Sequence, residues 1–296
     1  MSAPIPDAGI ERLCAAGLDV RVGGLDVDGA DALLSLLTDA VDAPLLERGD
    51  RLRVVANMAV GVDNIDLQTA ARLGITVTNT PDVLTDSTAD LAFALMLAAG
   101  RRVVWGDRLV RSGGFQGWTP LLGLGLDLTG STLGIVGVGR IGRAVAERAR
   151  AFRMEVLSCR RTGGVSLDLL LDRSDFVSLH CPLTLETRHL IGERELRLMR
   201  PHAVLINTAR GPIVDEQALV RALREGWIGA AGLDVYEEEP RLAAGLADLS
   251  NVVLLPHVGS ATFATRSRMA EIAAENIVAA LRGERAPNAV VEGSRT

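Results

Sequence analysis

The sequence predicts an α/β protein built on a doubly wound parallel sheet, with a second, smaller α/β lobe. Three observations carry this reading. Short apolar runs alternate with segments of helical periodicity, the order that gives βαβ units and a parallel sheet. The runs are continuously apolar, as suits strands covered on both faces. A turn with three glycines, Gly137-Val138-Gly139-Arg140-Ile141-Gly142, directly follows one run and opens a helical segment.

Taken in order, one strand is expected within RLRVVANMAV (51–60) and another at ITVTNT (75–80). Further strands are expected at 132–137, 154–158, 175–180, 203–208, 230–235 and 251–255. Helical periodicity spans DSTADLAFALMLAAGRRVVWGDRLVRSG (86–113), RIGRAVAERARAF (140–152) and EQALVRALREG (216–226). Residues 99–263 hold a complete series of βα units and are expected to form one domain. Residues 1–98 are expected to form the smaller lobe. A final amphipathic helix, from about Ala264 to Arg282, is expected to pack back on that lobe, so that 264–296 joins it and the lobe is discontinuous.

Bulk properties bound the function. A chain of 296 residues suggests two domains, and a hydrophobic content of 48% supplies two cores. No uncharged apolar stretch reaches the roughly 18 residues of a membrane span, and the first residues lack the pattern of a signal peptide. Cys14, Cys159 and Cys181 are odd in number and scattered, which suggests a reducing, cytoplasmic setting rather than disulfides. The four histidines show no metal-ligand spacing, so no metal is expected. A net charge of −6 without a basic, aromatic-interleaved run argues against nucleic acid as a partner. Arginine carries all 31 positive charges, a compositional bias from which no function follows.

The glycine turn has a physical reading. Gly137 allows the tight turn, Gly139 lets a pyrophosphate approach the backbone, and Gly142 lets helix and strand pack closely. Free N–H groups at the helix start, with the helix dipole, then hold the phosphates. The sequence thus predicts a Rossmann-type dinucleotide-binding domain; a glycine-rich packing turn is the alternative. About 20 residues further on, an acid would grip the ribose hydroxyls. Here the chain reads Arg160-Arg161-Thr162. A carboxylate would repel a 2′-phosphate, whereas a guanidinium pair would attract it. NADP(H) is therefore the preferred cofactor, with NAD(H) left open because two surface arginines would look the same.

Three segments follow at strand ends: Asn207-Thr208-Ala209-Arg210-Gly211, Gly232-Leu233-Asp234-Val235-Tyr236-Glu237-Glu238-Glu239-Pro240, and Pro256-His257-Val258-Gly259-Ser260-Ala261-Thr262. Ligands of open α/β sheets bind beyond the carboxyl ends of strands. Hydride transfer to a ketone leaves charge on oxygen that a histidinium can protonate. A carboxylate beside the imidazole orients it and favours its charged form. An arginine can hold a substrate carboxylate and polarise the carbonyl. Read singly, Arg210, Glu239 and His257 could instead be a cap, a solvated acid and a core histidine.

With these segments the sequence resembles the D-isomer-specific 2-hydroxyacid dehydrogenases over nearly its whole length. Its most specific stretches are VVANMAVGVDNIDL, VTNTPDVLTDSTADLAFALMLAAGR, GIVGVGRIGRAVA, LINTARGPIVDEQALVRAL, GAAGLDVYEEEP and LLPHVGSATFATR. Within the family it is most similar to the glyoxylate/hydroxypyruvate reductases. The resemblance implies a Rossmann-type domain beside a shortened, flavodoxin-like substrate lobe. It implies Arg210 as substrate-binding, His257 as proton donor and Glu239 as its partner. It implies that the backbone amides of Val60 and Gly61 bind a substrate carboxylate, which suits N–H groups that need no counter-charge. Trp118 matches a tryptophan region that shapes the substrate pocket. The implied cofactor contacts are Gly137, Val138, Gly139, Arg140, Ile141, Gly142, Arg160, Arg161, Thr162, Pro182, Thr187, Thr208, Ala209, Asp234, His257 and Gly259. A homodimer is implied, with the helix from about Asp86 to Ala99 as shared surface.

The sequence departs from the family in three places. Its first strand is expected to be missing, since the chain opens on Met1-Ser2-Ala3-Pro4-Ile5-Pro6. A helix is absent where Leu25-Asp26-Val27-Asp28-Gly29 stands. After the arginines, Thr162-Gly163-Gly164-Val165 runs straight into Ser166-Leu167-Asp168, where the family has a helix. The reading that results is NADPH-dependent reduction of a small 2-oxoacid, glyoxylate or hydroxypyruvate, with no membrane partner. The alternatives are another 2-hydroxyacid dehydrogenase of the same family, such as a 2-ketogluconate reductase, or a non-enzymatic NADP(H)-binding regulator.

Overall fold

The apolar runs near residues 54 and 76 become neighbouring strands of a four-stranded sheet. In the computed structural model, which describes residues 1–294, β1 (Ala32–Ser35), β2 (Val54–Asn57) and β3 (Thr76–Thr78) run parallel, and β10 (Ala289–Val291) adds antiparallel to β3. The order is β1-β2-β3-β10. β1 and β10 are absent from the sequence reading: ADALLSLLT has no strand period, and β10 is three residues long. Alternate residues of the strands feed two cores. Leu34, Val54 and Ala56 pack with α1 (Asp7–Ala15) and α10 (Phe263–Leu281), while Leu33, Val55 and Val77 pack with Leu46, Leu52 and Ala70 on the other face. That second face carries α2 (Ala43–Arg48) and α3 (Leu67–Arg72), each N-capped by an aspartate, Asp42 and Asp66. The last helix does return to the first lobe: a Cβ at Gly9 of α1 would lie 2.8 Å from the Ala270 Cβ of α10.

The first strand is not wholly missing. Ser2 N–H donates to the Leu34 carbonyl at 3.3 Å, while the N–H groups of Gly23 and Gly24 donate to the Met1 and Ser2 carbonyls. The first two residues therefore lie as a stub beside β1, with ladder bonds on both sides. No helix forms between residues 16 and 31, as expected.

The second unit is a six-stranded, wholly parallel sheet. Its strands are β4 (Thr132–Val136), β5 (Glu155–Cys159), β6 (Phe176–Leu179), β7 (Val204–Asn207), β8 (Ala230–Leu233) and β9 (Val252–Leu254), in the order β5-β4-β6-β7-β8-β9. Every residue of β6, β7 and β8 is buried, which explains why they are apolar apart from Ser178 and Asn207. On one face α4 (Thr85–Gly100) and α6 (Arg140–Ala151) bury Phe93, Met96 and Val145 with Ile135, Phe176 and Ile206. The other face is covered by α7 (Leu167–Arg173), α8 (Glu193–Leu198) and α9 (Glu216–Glu225), which bury Leu170, Leu196 and Leu219 with Val177, Leu179 and Leu205. The sheet is doubly wound.

Two expectations need correction. The segment 86–113 is two helices, α4 and α5 (Val103–Arg111), separated at Arg102, which takes a left-handed φ of 54°. Periodicity could not show a break made by one backbone angle. Secondly, α4 packs on β7, β8 and α6. The two units are accordingly Met1–Leu84 with Ser260–Thr296, and Thr85–Gly259, a division that falls before α4 and not at residue 98. α4 buries Ala89, Ala92, Phe93, Leu95 and Met96 inside its own unit, while Ala94 is exposed and Leu91, Leu97 and Ala98 are half-buried. Large exposed apolar residues lie beyond it, among them Val103, Val110, Phe115, Trp118, Leu121 and Leu124. As expected, no helix forms at Thr162–Val165; the chain runs from there into α7, which starts at Leu167 with Ser166 accepting the Leu169 N–H as its cap. No described helix is long and apolar enough to cross a membrane.

Phe176, fully buried between β4 and β7, is the largest side chain without solvent contact. Its replacement by alanine should cost about 3–5 kcal/mol, read as a lower urea midpoint.

Candidate functional site

At the end of β4 the backbone turns through Gly137, whose φ is +91°, and a Cβ there would lie 2.6 Å from the Cys181 nitrogen. At Gly142 a Cβ would lie 2.3 Å from the Gly137 carbonyl oxygen. Both glycines are therefore demanded by the turn itself. Gly139 differs: nothing stands within 4 Å of its ideal Cβ, and as N-cap of α6 it has no side chain to occupy the helix's first N–H groups. The open space lies where a phosphate would approach, flanked by Val138, Arg140 and Ile141. These residues fit a dinucleotide.

Arg160, Arg161 and Thr162 follow β5, the edge strand beside β4, and all three are exposed. Across from them, the loop after β6 is tied by Thr187. Its hydroxyl donates to the Pro182 carbonyl at 2.7 Å and accepts the Thr184 N–H at 2.7 Å. Thr187 thus holds Pro182 in place instead of offering a free donor. In the same loop the Glu186 carboxyl is held below its usual range, mainly by the Thr184 hydroxyl and in smaller part by the Arg161 charge. Beneath the loop His180 bonds to the Ser178 hydroxyl at 2.8 Å, and burial lowers its pKa to about 4. It is a neutral histidine.

The three strand-end segments do meet. His257 Nδ1 faces Glu239, at 2.9 Å from Oε2 and 3.2 Å from Oε1. Burial pushes the Glu239 carboxyl up, but the hydrogen bond and charge of His257, the Tyr236 N–H and the Arg210 charge together hold it below the usual range. The carboxylate therefore stays ionised beside the imidazole. His257 sits at φ +54°, a conformation costly for a non-glycine residue. Asp234 sustains it: its buried carboxylate accepts the Val258 and Gly259 N–H groups, each at 2.8 Å, and its carbonyl accepts the His257 N–H. Burial raises the Asp234 carboxyl, opposed by those two amides and the His257 charge. Thr88 adds a bond from its hydroxyl to the Gly259 carbonyl.

Arg210 is placed by Asn207, which accepts the Ala209 N–H and donates to the Arg210 carbonyl at 2.9 Å. Gly211 then passes so near the Tyr236–Glu237 backbone that a Cβ would lie 1.8 Å from it. The Thr208 hydroxyl is buried with no partner among the described residues, a donor left available near Ala209. One residue of this site is missed by sequence reasoning. Glu216, buried in the first turn of α9, accepts the N–H groups of Glu237 at 2.6 Å and Ala243 at 3.1 Å, and so spans the loop that carries Glu239. In sequence it is indistinguishable from an ordinary acid at a helix start. Trp118 is 80% exposed on the loop after α5.

In the first unit, Val60 and Gly61 lie in the turn after β2. The carbonyls of Ala59, Val60 and Gly61 are taken by Thr80 N–H, Asn79 Nδ2 and Asn57 Nδ2. Val60 is 36% exposed. Among the described residues no cluster of histidine, cysteine, aspartate and glutamate could hold a metal ion.

Residues 93–259 match the family model described as D-isomer specific 2-hydroxyacid dehydrogenase, NAD binding domain. Over 275 residues the chain is 54% identical to the glyoxylate reductase of Thermococcus litoralis, covering 88% of this chain and 83% of that one. A solved protein of Thermus thermophilus has a TM-score of 0.94 at 47% identity, over 98% of both chains. The NADPH-dependent glyoxylate/hydroxypyruvate reductase of Sinorhizobium meliloti, solved with NADP and malonate, has a TM-score of 0.90 at 34% identity, over 100% of this chain and 98% of that one.

The roles of two glycines in the turn can be separated by mutation. Gly139→Ala should melt near the wild type yet bind reduced nicotinamide dinucleotide ~tenfold or more weakly. Gly137→Ala should lower the melting temperature as well, because its φ and its contact with Cys181 admit no Cβ.

Proposed function

The chain belongs to the D-isomer-specific 2-hydroxyacid dehydrogenases, oxidoreductases that use a nicotinamide cofactor, and from that premise we propose that it reduces glyoxylate or hydroxypyruvate with NADPH. The observation that carries this reading is the His257–Glu239 pair, 2.9 Å apart with Arg210 close enough to help hold Glu239 ionised. When bound, the nicotinamide supplies the hydride to the carbonyl carbon. His257 supplies the proton: its Nδ1 is engaged by Glu239, so Nε2 is the nitrogen that faces the developing alkoxide. Glu239 fixes the ring through Nδ1. Arg210 holds the substrate carboxylate and draws electron density from the carbonyl oxygen. The first unit offers a second anion-binding group, the amides of Val60 and Gly61. Val138 to Ile141, Pro182, Thr208, Ala209, Asp234 and Gly259 would hold the dinucleotide, with Asp234 also fixing the His257 loop.

The preference for NADPH rests on Arg160 and Arg161, exposed at the end of β5 where an acid would otherwise meet the ribose. It is supported by the Sinorhizobium meliloti enzyme, an NADPH-dependent reductase. The protein works in the cytoplasm as a homodimer. Its shared surface is the exposed apolar stretch of α5 and the following loop, where Trp118 and Leu121 would otherwise face water. A second reading, reduction of a different 2-oxoacid, uses the same residues, since one methylene changes selection by only about 1–3 kcal/mol. A purely regulatory role would not need His257, Glu239 and Arg210 together.

The test is the loss of near-ultraviolet absorbance of NADPH and of NADH with glyoxylate and with hydroxypyruvate. Rapid turnover with NADPH and either acid is expected; inactivity with all four pairings would overturn the proposal. His257→Asn should keep NADPH binding and lose kcat by about 10²-fold or more. Near-normal kcat would show that the proton comes from elsewhere. Replacing both Arg160 and Arg161 by alanine should weaken NADPH by ~tenfold or more and NADH little. Equal losses for the two cofactors would remove the arginines from the 2′-phosphate.

A further inference from the structure

The N–H groups of Ala59, Val60, Gly61 and Val62 find no acceptor among the described residues, while the carbonyls of Ala59, Val60 and Gly61 are all taken. A trans peptide is planar, so its N–H points opposite to its C=O. Whatever grips a carbonyl therefore aims the next residue's N–H the other way. Asn79 Nδ2, 2.8 Å from the Val60 carbonyl, sets the direction of the Gly61 N–H. Asn57 Nδ2, 2.9 Å from the Gly61 carbonyl, sets that of Val62.

Neither asparagine is free to drift. Asn57 is fully buried; its Oδ1 accepts from the Ser35 hydroxyl at 3.0 Å, and its Nδ2 also donates to Asn64 Oδ1 at 3.0 Å. Asn79 is clamped from the far end of the chain. Its N–H donates to the Asn288 carbonyl, and its own carbonyl accepts from Asn276 Nδ2, both at 3.3 Å. Asn276, fully buried on α10, and Asn288 bond to each other twice, through Asn288 N–H to Asn276 Oδ1 at 3.0 Å and through Asn276 Nδ2 to Asn288 Oδ1 at 3.3 Å.

We infer that Asn57 and Asn79 are positioning residues that preset the anion-binding amides of the Val60–Gly61 turn, and that Asn276 and Asn288 extend this device to the C-terminal segment. The inference rests on the proposed role of that turn as a carboxylate anchor. Its physical content is preorganisation. Amides already aimed need not be reoriented when the anion arrives, so the asparagines act on substrate affinity without touching substrate.

The experiment is steady-state kinetics with glyoxylate on Asn79→Ala, Asn276→Ala and, as control, Gly61→Pro, which deletes one amide outright. Melting temperature and NADPH affinity are measured in parallel. Asn79→Ala should raise KM for glyoxylate ~tenfold, the effect of one hydrogen bond, with NADPH affinity unchanged and kcat falling by less than KM rises. Asn276→Ala should shift KM in the same direction by a smaller factor. Should Asn79→Ala fail to fold, Asn79→Ser, which keeps a small polar side chain but is too short to reach the Val60 carbonyl, gives the same reading. A wild-type KM in folded Asn79 variants, with KM raised in Gly61→Pro, would overturn the positioning role and leave the anchor standing. A wild-type KM in Gly61→Pro as well would show that the turn is no anchor, and the inference falls with it. A lowered melting temperature with kcat and KM changed alike would mark Asn79 as merely structural.

Discussion

Parallel pairing is the constraint on which the rest of the larger unit depends. Six strands that all point one way deliver all their carboxyl ends to one edge of the sheet. The glycine turn after β4, the arginines after β5, Pro182 after β6, Arg210 after β7 and Asp234 after β8 are neighbours for this reason alone, although they are scattered over much of the chain. Parallel strands also require a crossover helix between each pair, so both faces must be covered. That requirement explains the wholly buried β6, β7 and β8 and the absence of polar alternation in them.

A loop at such an edge has backbone groups with no ladder to join, and here side chains supply the missing partners. Asp234 takes the amides of Val258 and Gly259 and thereby stabilises His257 in its left-handed conformation. Glu216 takes those of Glu237 and Ala243 on either side of Glu239. Asn207 closes the turn before Arg210 from both directions. These are buried acceptors that would be costly in an apolar setting without donors; their donors are the loops that carry the candidate site residues. The candidate reacting residues and the residues that hold them are thus different sets, and the second set is the more deeply buried.

The smaller unit uses the same principle with amides in place of carboxylates. An asparagine side chain both donates and accepts, so Asn57 can join β1, β2 and the following turn at once. Asn276 and Asn288 exchange bonds in the same way and bring the C-terminal segment against Asn79. Carboxylates at these positions would place negative charge beside a turn whose free N–H groups suit an anion, which is a physical reason for the neutral choice.

The sequence alone determined the sheet class, the places along the chain of most strands and the glycine turn, and it marked Arg210, Glu239 and His257 as candidates at strand ends. Those features are local: an unbroken apolar run, a glycine where a Cβ would collide, a motif at a strand end. Only the tertiary structure decided the rest. The break at Arg102 is a single backbone angle that no periodicity records. The place of α4 in the second unit depends on which sheet its apolar face meets. The stub at Met1 and Ser2 and the short β10 exist because strands far off in sequence supply their ladders. Glu216, Asn57 and Asn79 look like ordinary surface residues until folding shows which backbone amides and carbonyls they must satisfy, since a hydrogen bond between segments distant in the chain leaves no mark on either one.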